Sequence, residues 1–144
     1  MILDSLDEIE ILSLTIIGES RGESILGQIA VGCDIRNRVI QESQNYRYIC
    51  LQPKQFSCWN KDDPNYSYLL DLAARMFDGQ DFTEGALKQC IYVAHGVFSG
   101  DILDVLKQDM FYMTTILFNS PKRPKWASNP KNIIVIGHQT FFNV

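Results

Sequence analysis

The run Ile17-Gly18-Glu19-Ser20-Arg21-Gly22-Glu23 joins two strongly apolar segments and constrains the fold of this chain more than any other stretch. Upstream of it, Leu6, Ile9, Leu12 and Ile16 recur at helical spacing, with Asp7, Glu8 and Glu10 off that stripe. This spacing predicts an amphipathic helix near residues 5–18, with Gly18 as its stop signal and Glu19 within reach of the last turn. Downstream, Leu26, Ile29, Ala30 and Cys33 make one stripe, while Ile25, Val31, Ile35 and Val39 make other sides apolar too. Residues about 24–42 are therefore expected to form the central buried helix. Gly27 and Gly32 would each cost it about 1 kcal/mol relative to alanine, and close helix packing is the expected compensation.

The joining run also carries the first hint of chemistry, because Glu19 and Glu23 stand four residues apart with Arg21 between them. Apolar residues lead directly into Glu19, and a partly dry carboxyl holds its proton to higher pH. A carboxyl kept protonated near neutrality can act as a general acid. A solvated turn followed by a charged helix start accounts for the same residues, so these seven positions alone leave both readings open. Arg38 could pair with a carboxylate of this run, and Asn37, on the apolar side, needs hydrogen-bond partners if buried.

Beyond Glu42 the periodicity lapses. Residues 43–65 contain Pro53 and Pro64 and read as a long ordered loop, a kind that is often functional in compact domains. Within it, Gln55-Phe56-Ser57-Cys58-Trp59-Asn60 alternates amide, hydroxyl and aromatic groups, which suits a carbohydrate as well as it suits loop anchoring. Tyr66 to Phe77 define a third helix, and Thr83 is the candidate N-cap of a fourth that stops at Gly100. A helical segment is expected over 101–109. The aromatic and β-branched run Met110–Phe118, then Ile133–Ile136 and Thr140–Phe142 about a Gly137-His138 turn, predict short strands. The fold class is thus α+β: one mainly helical domain over 1–144 with a small C-terminal antiparallel sheet.

Composition narrows the partners. With 144 residues, 46% hydrophobic and 21% charged, the chain has the makeup of one globular domain. A formal net charge of −4 gives no basic footprint for nucleic acid, Lys122, Arg123 and Lys125 being a local exception. Four cysteines without a CxxC pair, and only two histidines, argue against a metal site, and no cofactor is expected. Cys33 and Cys90 fall on apolar stripes as buried thiols, whereas Cys50 and Cys58 lie in the loop, their pairing undetermined. The acidic start MILDSLDEIEILSLTIIGES suits neither a signal peptide nor a stable membrane insertion.

Four runs occur in a recognisable order: Gly18-Glu19-Ser20-Arg21-Gly22-Glu23; Gly27-Gln28-Ile29-Ala30-Val31 continuing to Asn37-Arg38-Val39; Gln55-Phe56-Ser57-Cys58-Trp59; and Ile136-Gly137-His138-Gln139-Thr140-Phe141. In this order they resemble the SleB/CwlJ cell wall hydrolase family over nearly the whole chain. The resemblance implies a lysozyme-like or lytic-transglycosylase-like fold acting on the glycan strands of peptidoglycan. It implies Glu19 as catalytic acid/base, with Glu23, Gln55, Phe56 and Ser57 lining or supporting the cleft. Trp59, Tyr112, Asn119 and His138 complete the expected substrate-binding set. Asn119 stands where relatives often carry an aromatic-histidine-asparagine cluster, here Leu117-Phe118-Asn119-Ser120 without the histidine.

Mechanism then turns on how many carboxylates serve. Glycosidases pair two, about 5–5.5 Å apart when retaining or about 6.5–9.5 Å when inverting, and a hydrolytic muramidase or glucosaminidase using Glu19 and Glu23 is one reading. A single Glu19 would instead make a 1,6-anhydro sugar, and the Arg21-Gly22 turn favours this by sending Glu23 aside. A non-catalytic glycan-binding module using Phe56, Trp59, Tyr112 and Trp126 is the alternative from another class. The expected protein is a monomer made in the cytoplasm that meets the wall with the help of a holin or an exporting partner.

Overall fold

A computed structural model describes residues 1–144. Helix α1 (Glu8–Ser20) begins at a capping box in which the Asp7 carboxylate accepts from the Glu10 N–H at 2.8 Å and Glu10 accepts from the Asp7 N–H at 2.9 Å. It is followed by α2 (Ile25–Glu42), α3 (Tyr46–Leu51), α4 (Pro64–Phe77) and α5 (Gly85–Ser99). The C-terminal part holds β1 (Phe111–Thr114), the one-turn helix α6 (Thr115–Phe118), β2 (Lys131–Ile136) and β3 (Gln139–Asn143). The chain is therefore mainly helical with a small antiparallel sheet near its C-terminus, as the residue pattern predicts.

The central helix is α1, not α2. Ile11, Leu12, Leu14, Ile16 and Ile17 are wholly buried, each contributing about 1.5–3 kcal/mol of burial, and α2, α3, α4 and α5 all pack on α1. Its polar interruptions satisfy themselves: Ser13, Thr15 and Ser20 donate to the carbonyls four residues back at 2.7–2.8 Å. A stripe thus understates what is a helix buried on nearly every side. Gly18 does not stop it. A Cβ there would lie 2.7 Å from Cys58 Cβ and 2.8 Å from Leu69 Cδ1, so glycine serves the close approach of α4 and the 57–59 turn. Gly32 meets the expectation of close helix packing, with Val97 of α5 at 2.8 Å from a Cβ, whereas Gly27 is crowded by Glu23 just outside its own helix.

Several local expectations shift for identifiable reasons. The 43–65 stretch contains α3, capped by the Asn45 side chain accepting from Tyr48 N–H at 2.8 Å, and a short 3-10 turn at Ser57–Trp59. The N-cap of α5 is Glu84 rather than Thr83, and Gly100 ends the helix in the left-handed conformation. Residues 101–109 are not helical, because the Asp104 carboxylate captures the N–H groups of Leu106 and Gln108, each at 2.8 Å. The 110–118 run splits where Thr114 accepts from Leu117 N–H and caps α6. All four cysteines are free and buried.

In the sheet, order β1-β3-β2, Tyr112 and Ile134 both register with Phe141 on the central strand. Successive residues face opposite ways. Phe141 joins the main core, while Phe142 joins Met113, Phe118 and Ala127 in a smaller cluster. The sheet is tied to α2 by polar contacts. Asn37 donates to the Asp109 carbonyl at 2.9 Å, and Arg38 Nε donates to Asp34 Oδ1 at 3.2 Å and to the Met110 carbonyl at 2.7 Å.

This packing is open to test at two positions. Gly18→Ala overpacks the contact with Cys58 and Leu69 and should lower the unfolding free energy by about 1–3 kcal/mol in urea titration. Burial pushes the Asp34 carboxyl up to about 7 against the opposing pull of Arg38. The folded protein then holds a proton that the unfolded chain releases near the ordinary 3.8, so this group's contribution to stability rises as pH falls from about 7 and levels off near 4. Relative to Asp34→Asn, the wild type should lose up to about 1.4 kcal/mol of stability per pH unit on going up through that window. A difference that stays flat with pH would remove Asp34 as the titrating group.

Candidate active site

Glu19 sits in the last turn of α1, near the negative end of the helix dipole, a poor place for a carboxylate unless donors converge on it. They do. The Tyr112 hydroxyl donates to Oε1 at 2.5 Å, the Cys58 N–H donates to Oε2 at 3.1 Å, and the Ser57 hydroxyl stands 3.5 Å from Oε2. Three separate elements, α1, the 57–59 turn and β1, therefore meet on one carboxylate. Burial, and secondarily the neighbouring Glu19, hold the Tyr112 phenol well above its ordinary pKa, so it remains a donor across the accessible pH range. The side of Glu19 that is not enclosed faces an open cleft of about 410 Å³.

The wall of that cleft is polar: Gln55 and Ser57 come from the loop, Asn65 from the start of α4, Tyr112 and Thr114 from β1, and Gln139 from β3. Arg38 lines it from α2, and Lys54 stands at its edge. Arg38 is nearly buried, lies over the rings of Phe56 (5.4 Å) and Phe111 (5.1 Å), and donates from Nη1 to the Gln55 side-chain oxygen. A stacked guanidinium with its Nε already committed has little freedom, so Gln55 is held in a set orientation at the cleft. Arg38 thus neither pairs with a carboxylate of the 17–23 run nor stays solvated at a helix end; it pairs with Asp34 of its own helix.

Among the residues singled out in the sequence, Glu19, Gln55, Ser57 and Tyr112 come together at the cleft. Phe56 is buried beneath it, supporting Arg38 rather than offering a ring to a ligand. Trp59 is turned inward, its indole N–H donating to Thr15 Oγ1 at 3.0 Å. Asn119 is exposed at the end of α6, outside the cleft wall. Glu23 also stands outside that wall: its carboxylate meets His138 Nδ1 at 3.3 Å, with Glu23 covered and His138 exposed at the β2–β3 turn. Gly137, at φ +57°, lets that turn close down, since a Cβ there would lie 3.2 Å from Glu23 Oε2.

Four wall residues, Gln139, Thr114, Asn65 and Lys54, are not among those the sequence pattern singles out. Gln139 carries a signal, because it follows His138 inside the C-terminal motif; its Oε1 is buried without a partner beside the cleft. Lys54 and Thr114 stand close to Gln55 and Tyr112 in the chain but carry no pattern of their own, and Asn65 carries no signal at all.

A comparison with curated proteins and with solved structures finds no significant match. The Cell Wall Hydrolase family model matches residues 22–142. The matched span starts three residues after Glu19, so the position of Glu19 is argued from the convergence of Tyr112, Cys58 and Ser57 upon it. Since the match takes in most of the chain, including the loop and nearly all of the sheet that build the cleft, the chain belongs to the cell wall hydrolase family of the SleB/CwlJ type.

Proposed function

We propose that this peptidoglycan-degrading enzyme cuts the glycan backbone between N-acetylmuramic acid and N-acetylglucosamine as a lytic transglycosylase, with Glu19 as its one acid/base. The observation that carries this reading is the carboxylate inventory of the cleft. Glu19 is the only acidic side chain in its wall, while Glu23 is engaged by His138. A hydrolase of the usual kind needs a second carboxylate across the bond.

In the first step Glu19 gives its proton to the glycosidic oxygen, and the bond to C1 of the muramic acid breaks with the pair of electrons leaving on that oxygen. Positive charge develops at C1. The carboxylate so formed is met by donors already in place, the Tyr112 hydroxyl and the Cys58 N–H. In the second step Glu19 takes the proton of the muramic acid 6-hydroxyl as that oxygen attacks C1, closing the 1,6-anhydro ring and restoring the acid. Gln55, Asn65, Thr114 and Gln139 are placed to hydrogen-bond sugar hydroxyls and N-acetyl groups. Lysozyme offers the chemical analogy, since a glutamate set against apolar surroundings serves there as the general acid. We read the fold as lysozyme-like because the acid ends a buried helix beside a small antiparallel sheet. The proposed site of action is the cell wall. No helix is long and apolar enough to cross a membrane.

Glu19→Gln should reduce release of muropeptides from purified sacculi by about 10²–10⁴-fold with the unfolding transition unchanged. Unchanged release would remove Glu19 as the acid. Mass spectrometry of the wild-type digest should show 1,6-anhydromuropeptides, and a digest made wholly of reducing ends would refute the transglycosylase step. Tyr112→Phe, which deletes one donor to the carboxylate, should lower turnover about tenfold while sacculus binding persists.

A further inference from the structure

Charge is divided sharply along this chain. All 17 aspartates and glutamates lie in residues 1–109, while residues 110–144 hold four of the 13 basic residues, Lys122, Arg123, Lys125 and Lys131, and no acid. The sheet and the loop packed on it therefore carry +4 against −8 for the rest. None of the four cations is in a salt bridge. Of the acids just before this segment, Asp104 is taken up by the N–H groups of Leu106 and Gln108, and Asp109 is wholly buried and accepts from the Asn132 amide. The four cations thus have no ionic partner within the protein, and their counterpart is an anion outside it.

The same segment turns apolar groups outward. Trp126 lies on the sheet, its ring 5.9 Å from Phe142 and 5.6 Å from Phe111, yet it is 55% exposed. Val135 registers with Thr140, which shares a face with Phe142 two residues on, so Val135 belongs to the Trp126 side of the sheet. It is 59% exposed, and Ile133 near it on the outer strand β2 is 51% exposed. Cations border this surface. Lys125 shares a 3-10 turn with Trp126, Arg123 lies over the Phe118 ring at 4.6 Å, and that ring packs 5.4 Å from Phe142. Lys131 opens β2. Tyr112, the donor to Glu19, registers with Phe141 and so leaves the sheet from the opposite face.

The two properties together specify a partner. A soluble polyanion is met by cations alone and gives no reason to leave an indole and two β-branched side chains in water. An anionic lipid leaflet takes both: tryptophan settles at the headgroup level, apolar side chains reach the acyl boundary, and lysine and arginine meet the negative surface. We propose that the Trp126 face of the sheet is a peripheral membrane surface, which lies on an anionic lipid leaflet through Lys122, Arg123, Lys125 and Lys131 without crossing it. The proposal goes beyond the glycan-cleaving reading and does not depend on it, because Glu19 takes no part in the contact.

The reporter for its test is built in. Of the two tryptophans, Trp59 is turned inward with its N–H bonded to Thr15, so Trp126 is the one whose emission responds to a new environment. On titration with vesicles of equal parts phosphatidylcholine and phosphatidylglycerol, that emission should move to the blue and the protein should sediment with the vesicles. Phosphatidylcholine alone should do neither. Each cation is worth about fivefold in such binding, so Lys122→Gln/Lys125→Gln/Lys131→Gln, three exposed side chains whose loss keeps Trp126, should bind about 100-fold more weakly. Binding should also fall steeply between about 0.1 M and about 1 M salt, as the screening length shrinks from about 10 Å to about 3 Å. Glu19→Gln should bind as the wild type does. No binding to anionic vesicles, equal binding by the triple variant, or sedimentation without the blue shift would overturn the inference. Tighter binding to soluble polyphosphate than to the vesicles would overturn it too, and would make the face a polyanion site.

Discussion

The guanidinium of Arg38 joins parts of the molecule that are otherwise held by separate contacts. It reaches Asp34 within α2, the Met110 carbonyl at the entry to β1, and Gln55 in the loop, and lies over the rings of Phe56 and Phe111. A buried ion pair of this kind gains little net stability, since desolvation offsets its attraction, but breaking it by removing one partner costs about 3–5 kcal/mol. Its value is therefore in arrangement. With Arg38 in place the helical body, the sheet and the loop have one mutual placement, and that placement brings Tyr112 and the Cys58 N–H to Glu19.

The candidate site is built from rigid pieces. Glu19 is on the last turn of the most buried helix, and two of its donors are backbone or phenolic groups with few rotamers. Glycine at 18 lets the 57–59 turn come close enough for the Cys58 N–H to reach the carboxylate. The other groups of the cleft wall come from the exposed loop and strand ends, where Ser57 and Thr114 are less constrained than Gln55, which Arg38 holds. The division is physical: proton transfer needs a fixed donor, and a chain of sugars needs tolerance along its length.

Much of the helical framework is legible in the residue pattern because its signals are local. The helices expected near 5–18 and 24–42 from periodicity are found at Glu8–Ser20 and Ile25–Glu42, and the strands about Gly137 follow from β-branched runs and a turn residue. Pattern and structure part where a side chain overrides propensity, as Asp104 does in preventing a helix over 101–109 and Thr114 does in starting one turn of helix. Choosing between α1 and α2 as the central helix is equally out of reach of the pattern, since both are apolar and only the neighbours in space differ.

At the site the same boundary appears. The residue order alone establishes that a glutamate follows the first apolar stripe, that a QFSCW loop and a late strand pair accompany it, and that these occur in the order of a cell wall hydrolase. That Glu19 and not Glu23 faces the cleft is settled only in three dimensions, because folding brings His138, 115 residues away, against Glu23. Folding also turns Trp59 and Phe56 inward and brings Gln139 and Thr114 into the wall. Helices and turns are written by neighbours along the chain, whereas an active site is written by contacts that close long loops.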